Sequence, residues 1–158
     1  MTRSRVLVGA ITAVLVLGGA GAWWLLRTEE DRVRAVIQEG AAAARARDVV
    51  RMDAILAPDF TTSRGLPRAG ALEALRYAFQ QRYREIDVEL GPDPLPVKLE
   101  QQETRAVVLL DVRAVGRTAP GAPAEDVLAL AQTGNRWVVR LTLREDHWLV
   151  VGLDTGVR

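Results

Sequence analysis

Apolar positions recur every three to four residues through the first half of the chain and every second residue through the latter half, and a continuous apolar run precedes both. That run, residues 6–26, holds 21 residues without a charge. As a helix it would be about 30 Å long, the thickness of a bilayer's hydrocarbon core. Behind it Val33, Ile37, Ala41 and Ala44 share one helical face, with Glu29, Glu30 and Asp31 in the first turn, where the helix dipole favours anions. Asp48 is placed to cap a second, short helix whose stripe is Met52, Ile55 and Leu56 and which stops at Pro58. Residues 57–70 are expected to form a loop with one short strand near 60–63. A third helix over 69–84 puts Leu72, Leu75, Phe79 and Tyr83 on its buried side.

After residue 85 the period becomes two. Ile86, Val88 and Leu90 alternate with acidic residues, Ala106 to Ala114 alternate with Arg105, Asp111 and Arg113, and Trp137 to Leu143 alternate with Arg140, Thr142 and Arg144. These are half-buried strands of an antiparallel sheet. The polar stretch REDHW turns the chain into a last strand. The prolines of 91–102 limit pairing there, and residues 125–132, EDVLALAQ, follow a Pro-rich loop and fit a helical turn or a strand, with strand the expectation. The fold class is α+β: three N-terminal helices packed on a strongly curved antiparallel sheet, preceded by one transmembrane helix. Residues 1–27 form the anchor and 28–158 the domain.

Arg3 and Arg5 precede the apolar run with no acidic residue among them, which keeps the N-terminus cytoplasmic and sends the domain outside the cytoplasm, periplasmic or otherwise extracytoplasmic. Ala20-Gly21-Ala22 also fits a signal-peptide cleavage site, and cleavage after Ala22 would secrete the domain. Trp23 and Trp24 suit the headgroup level and Leu25 and Leu26 carry the apolar run on to Arg27, so the expectation is an uncleaved signal anchor. The small-residue pair Gly18 and Ala22 is read as ordinary lipid-facing sequence.

Charge and composition narrow the chemistry. Residues 28–158 hold 18 of the 21 basic residues and all 20 acidic ones, a formal charge of −2, with no basic stripe. A nucleic-acid partner is therefore not expected. Cysteine is absent, so disulfides, thiolate chemistry and Cys-based zinc sites are excluded. His147 is the single histidine, which excludes a multi-histidine metal site within one chain. All but one of the basic residues are arginine, a bias read as genome composition. No phosphate-binding glycine loop, Gly-x-Ser-x-Gly elbow or metal-ligand spacing occurs, and no metal or cofactor is expected.

Four stretches, AAAARARDVVRMDAILAPDF, ALEALRYAFQQR, TRAVVLLDVRAVG and VVRLTLREDHWLVVGLD, resemble the nuclear transport factor 2-like superfamily over residues 28–156. The most specific pieces are Ala57-Pro58-Asp59-Phe60 and the closing hairpin with its Trp. The resemblance implies a cone-shaped α+β domain. That superfamily includes isomerases, cyclases, dehydratases, transport factors and inert binding modules, so the job must be argued from the site. In its catalytic members the cavity holds carboxylates, tyrosines or histidines that move protons on an apolar substrate. Where the enolising isomerases carry a base on the first strand, this chain has Thr61, Thr62 and Ser63. A dehydratase-like His-Asp pair has one local candidate, His147 with Asp146, which falls in a hairpin tip and is read as an exposed turn. Asp59 is read as a turn-stabilising residue.

No catalytic residue is assigned. Phe60, Tyr77, Phe79, Trp137 and Trp148 are the candidate ligand-lining residues. Asp111, Arg113 and Arg140 are expected on the polar sheet face, where they would suit a homodimer contact. The reading is a membrane-anchored, non-enzymatic bacterial envelope domain that binds a protein partner or a small apolar ligand. The alternative is an isomerase-, cyclase- or dehydratase-type enzyme using the cone.

Overall fold

The computed structural model describes residues 27–156. The expected anchor, 6–26, and the candidate cleavage site lie outside the described residues, among which no helix is long and apolar enough to cross a membrane. Helix α1 (Glu29–Ala46) opens on a capping box: Thr28 Oγ1 accepts from the Asp31 amide at 3.2 Å, and the Asp31 carboxylate accepts from the Thr28 amide at 3.4 Å. It buries Val33, Ile37 and Ala41, as the period requires. Arg47, at φ 55°, ends it in the left-handed conformation. Asp48 then caps α2 (Val49–Ile55), accepting from the Val50 and Arg51 amides at 3.0 and 3.1 Å.

The second helix stops earlier than expected. Leu56, Ala57 and Pro58 already belong to strand β1 (Leu56–Thr62), because Leu56 pairs with Val150 at the far end of the chain. Pro58 is tolerated there because β1 is the edge of the sheet. The third helix also differs. Regular helix α3 (Arg68–Arg76) gives way to a π-helical turn over Tyr77–Arg82, in which the Tyr83 amide reaches back five residues to the Ala78 carbonyl at 2.9 Å. Leu72, Phe79 and Tyr83 are buried as expected.

The sheet runs β1, β7 (His147–Thr155), β6 (Arg136–Arg144), β4 (Arg105–Arg117) and β2 (Glu85–Gly91), with β3 (Val97–Glu100) and β5 (Glu125–Asp126) also paired to β4, and it curls strongly around α1. All its pairs are antiparallel except β1 with β7, so the expectation of a purely antiparallel sheet is corrected at that edge. The spine is the 13-residue β4 (Arg105–Arg117), whose side chains alternate between inner and outer faces along its whole length. Strand β2 (Glu85–Gly91) pairs with its C-terminal half and β3 (Val97–Glu100) with its N-terminal half. Only Glu125 and Asp126 form a strand, β5, in the segment expected to be one. Asp126 then accepts from the Leu128 and Ala129 amides at 2.9 and 3.0 Å and caps the single turn α4 (Val127–Leu130), which buries Leu128. The local cap decides for a helical turn there.

Strands β6 (Arg136–Arg144) and β7 (His147–Thr155) close the chain through Glu145 and Asp146, both left-handed, at φ 48° and 63°. That is the twist a two-residue hairpin needs. Between the pairs Leu141–Val150 and Arg140–Gly152 a β-bulge leaves Val151 without an opposite residue. The core lies between α1 and the inner face, where Val33, Val108 and Leu141 are the largest fully enclosed side chains. Each contributes on the order of 2 kcal/mol by leaving water.

Candidate functional site

The inner wall is assembled from alternate residues of the strands. Trp148 sits on β7 opposite Leu143 and Phe60 on β1; each is 4% exposed, and both belong to the single buried cluster around α1. Trp137, the second residue of β6, stands opposite Leu110 of β4 and Thr155 of β7, packs on the same cluster and stays partly exposed. Its indole N–H donates to the Gly134 carbonyl at 2.8 Å, which holds the ring against the turn after α4. The structure thus brings Phe60, Trp137 and Trp148 to one core.

The other two candidates are placed differently. Phe79 is buried in the π-helical turn but outside that cluster. Its carbonyl and that of Tyr83 both accept from the Arg47 guanidinium, at 3.3 and 3.2 Å, which closes the orphaned end of the turn. Tyr77 is 61% exposed and lines nothing with the other four. Its position off the buried stripe sends the phenol outward.

No aspartate, glutamate, histidine, lysine or arginine is buried among the described residues. The ionisable groups lie on the surface and largely in pairs. Glu29 accepts from the Trp148 indole at 2.7 Å and from Arg32 at 2.6 Å. Burial pushes its carboxyl up, but those two hydrogen bonds and the Arg32 charge outweigh it and hold Glu29 below the usual range. His147 is exposed at the hairpin tip, its Nδ1 2.7 Å from the Glu145 carbonyl oxygen. Among the described residues no three His, Asp or Glu side chains stand where they could share a metal ion.

On the outer face Asp59 extends from β1 to the Arg144 guanidinium at 2.8 Å, a partner that reading it as a local turn residue did not supply. The hydrogen bond from Arg144 holds the Asp59 carboxyl low. Asp111 pairs with Arg136 at 3.7 Å and Arg113 with Glu89 at 3.6 Å, so two of the three residues expected to complement a second copy are matched within one chain. Arg140 lies across Gly152, where an added Cβ would stand 2.9 Å from its Nε. It borders a concavity of about 240 Å³ that also involves Arg105, Arg144, Asp59, Val107 and Val151. Sequence reasoning placed Arg140 on this face but missed Arg105, Arg144 and Gly152 as its neighbours. The signal was the run of arginines at outward positions of β4 and β6.

No family model and no curated protein matches this chain. Solved structures do match. A scytalone dehydratase candidate from Novosphingobium aromaticivorans superposes with a TM-score of 0.63 at 12% identity, over 80% of this chain and 83% of that one. A nuclear transport factor 2-like superfamily protein from Salmonella enterica serovar Typhimurium gives 0.64 at 12% identity, over 82% and 92%. The fold is nuclear transport factor 2-like. A hexachlorocyclohexane dehydrochlorinase from Novosphingobium barchaimii gives 0.60 at 13% identity, over 78% and 82%. At these identities the likeness carries the fold, and the nuclear transport factor 2-like architecture alone assigns no chemistry to this chain.

Proposed function

We propose that this nuclear transport factor 2-like domain is a binding module of a bacterial envelope, tethered through residues 6–26, which takes a protein partner or a small apolar molecule and does not transform it. The observation that carries the reading is the make-up of the inner wall: its buried cluster is apolar, and no carboxylate, histidine, lysine or arginine is enclosed among the described residues. Proton transfer needs a side chain held within hydrogen-bond reach of the reacting atom. The wall offers Trp137 instead, a partly exposed aromatic fixed by its bond to Gly134. Titrating the full-length chain with the apolar fluorophore N-phenyl-1-naphthylamine tests this. Saturable uptake that weakens in Trp137→Ala supports it; uptake unchanged by that substitution removes Trp137 from the site.

A second reading, an enzyme of dehydratase or dehydrochlorinase type, is the one the structural comparisons favour over a non-enzymatic module, since named enzymes are among the matching structures. Eliminating HCl from a chlorinated ring breaks a C–H and a C–Cl bond and needs a group to accept the proton. In this chain that group would have to come from outside the buried cluster, where His147 is exposed at the hairpin tip.

A further inference from the structure

We propose that the outer face of the sheet carries a binding site for the carboxylate of a small organic acid, held by Arg105 and Arg140. The site lies on the opposite face of the sheet from Phe60 and Trp148, so it stands whether or not the inner wall takes a ligand. The outer-face arginines otherwise each have an acid of their own: Arg113 has Glu89, Arg117 has Glu85, Arg136 has Asp111 and Arg144 has Asp59. Arg105 and Arg140 are the exceptions, with no hydrogen-bond or ion-pair partner among the described residues. Glu100 stands opposite Arg105 in the β3–β4 register but is engaged by Lys98 at 3.0 Å.

The two unmatched arginines are neighbours. Arg105 is opposite Thr142 and Arg140 is opposite Val107, which makes them diagonal on one face of an antiparallel pair, within reach of long side chains. Two like charges left side by side on a face where the others are neutralised favour an external anion.

Gly152 is the second, independent observation. It sits in the interior of β7 and is not among the glycines with positive φ, so the backbone conformation does not require it. Its place is explained by closeness: an added Cβ would meet the end of the Arg140 side chain, at Nε 2.9 Å and Nη2 3.2 Å, and the guanidinium would have to move aside. A strand glycine often marks such a close approach. The guanidinium, which remains exposed, thus lies over the β7 backbone at the border of the concavity.

Charge and shape select the ligand. Arg144 matches Asp59 and Lys98 matches Glu100, which leaves the charges of Arg105 and Arg140 to face a bound anion at the concavity. A doubly charged phosphate would meet the two carboxylates. A guanidinium's planar fork matches a carboxylate through two parallel hydrogen bonds. Val107 and the bulged Val151 offer hydrocarbon beside it.

The test is an NMR titration of the full-length chain with hexanoate at constant ionic strength, following the Arg Nε–H signals and the Val107 and Val151 methyls. Saturable shifts with a dissociation constant near about 1 mM are expected, with hexanol giving none. Arg140→Gln and Arg105→Gln should each weaken binding about tenfold, and Gly152→Val, which keeps every charge but displaces the guanidinium, should do the same. Amide spectra of each variant check that the fold persists. No saturable shift up to about 20 mM, or unchanged affinity in both arginine variants that remain folded, overturns the proposal. So does equal binding of sulfate, which would mean an adventitious ion only, or tighter binding of diethyl phosphate, which would make this a phosphodiester or lipid-headgroup site.

Discussion

The indole N–H of Trp148, on the last strand, donates a 2.7 Å hydrogen bond to the Glu29 carboxylate in the first turn of α1, joining residues 119 apart in sequence. Arg32 completes the clasp: it pairs with Glu29 at 2.6 Å and donates to the Asp146 carbonyl in the closing hairpin. The start of the domain is thus tied to its end, next to the point where the expected anchor would join.

That clasp sets an acid limit. The folded-state value of Glu29 lies below its unfolded one, so the stability its ionised form contributes is complete above the ordinary glutamate range and is lost as pH falls through the folded value. Asp59, held low by Arg144, has the same sign. Thermal melting as a function of pH should show Tm falling below about pH 5, and Glu29→Gln should flatten part of that fall. An unchanged acid limb in the variant would remove Glu29 from the effect.

Trp148 and Trp137 should differ. Trp148→Ala removes an aromatic that is 4% exposed and should cost about 3 to 5 kcal/mol in denaturant unfolding. Trp148→Phe, which keeps most of the volume and loses the bond to Glu29, should cost about 1 kcal/mol. Trp137→Ala should cost less than Trp148→Ala because its ring is partly exposed. His147→Ala, at the hairpin tip, should stay within about 0.5 kcal/mol.

Two glycines hold close approaches of different kinds. A Cβ on Gly134 would lie 2.5 Å from the Gly156 Cα, backbone against backbone, so Gly134→Ala should lower stability by about 1 to 3 kcal/mol. At Gly116 the obstacle is the Tyr83 ring, also 2.5 Å away, so Gly116→Ala should change the near-ultraviolet circular dichroism as that ring is displaced.

The closing turn can be improved. Glu145 and Asp146 adopt left-handed dihedrals without being asparagine or glycine. Glu145→Asn together with Asp146→Gly should raise stability by about 0.5 to 1 kcal/mol, measured by the same unfolding titration.

Much of this architecture was legible in periodicity. Val33, Ile37 and Ala41 share a helical stripe, and Ala106 to Ala114 alternate strictly, because each pattern is a direct consequence of which side faces the core. What the pattern missed depended on non-local partners or on local caps. Pro58 reads as a helix stop, yet Leu56 and Ala57 before it are strand because Leu56 pairs with Val150 of β7 from the far end of the chain. EDVLALAQ fits a strand or a helical turn by pattern alone, and the Asp126 cap decides for the turn. Of the aromatic candidates, Phe60 and Trp148 joined one core on the strength of their apolar faces, while Tyr77 points away. Arginine richness read as composition, although Arg34, Arg45 and Arg47 bind backbone carbonyls of Leu95, Val88, Phe79 and Tyr83. The closeness of Arg140 to Gly152 follows from a β-bulge whose register no single strand encodes.

The claim that this domain binds without transforming is tested most directly by presenting the full-length chain with hexachlorocyclohexane and recording two signals together, tryptophan fluorescence for binding and free chloride for turnover. The account predicts a saturable fluorescence change that is lost in Trp137→Ala, with chloride no higher than in the protein-free control. Chloride release that rises in proportion to protein concentration would contradict it and put the enzyme reading first.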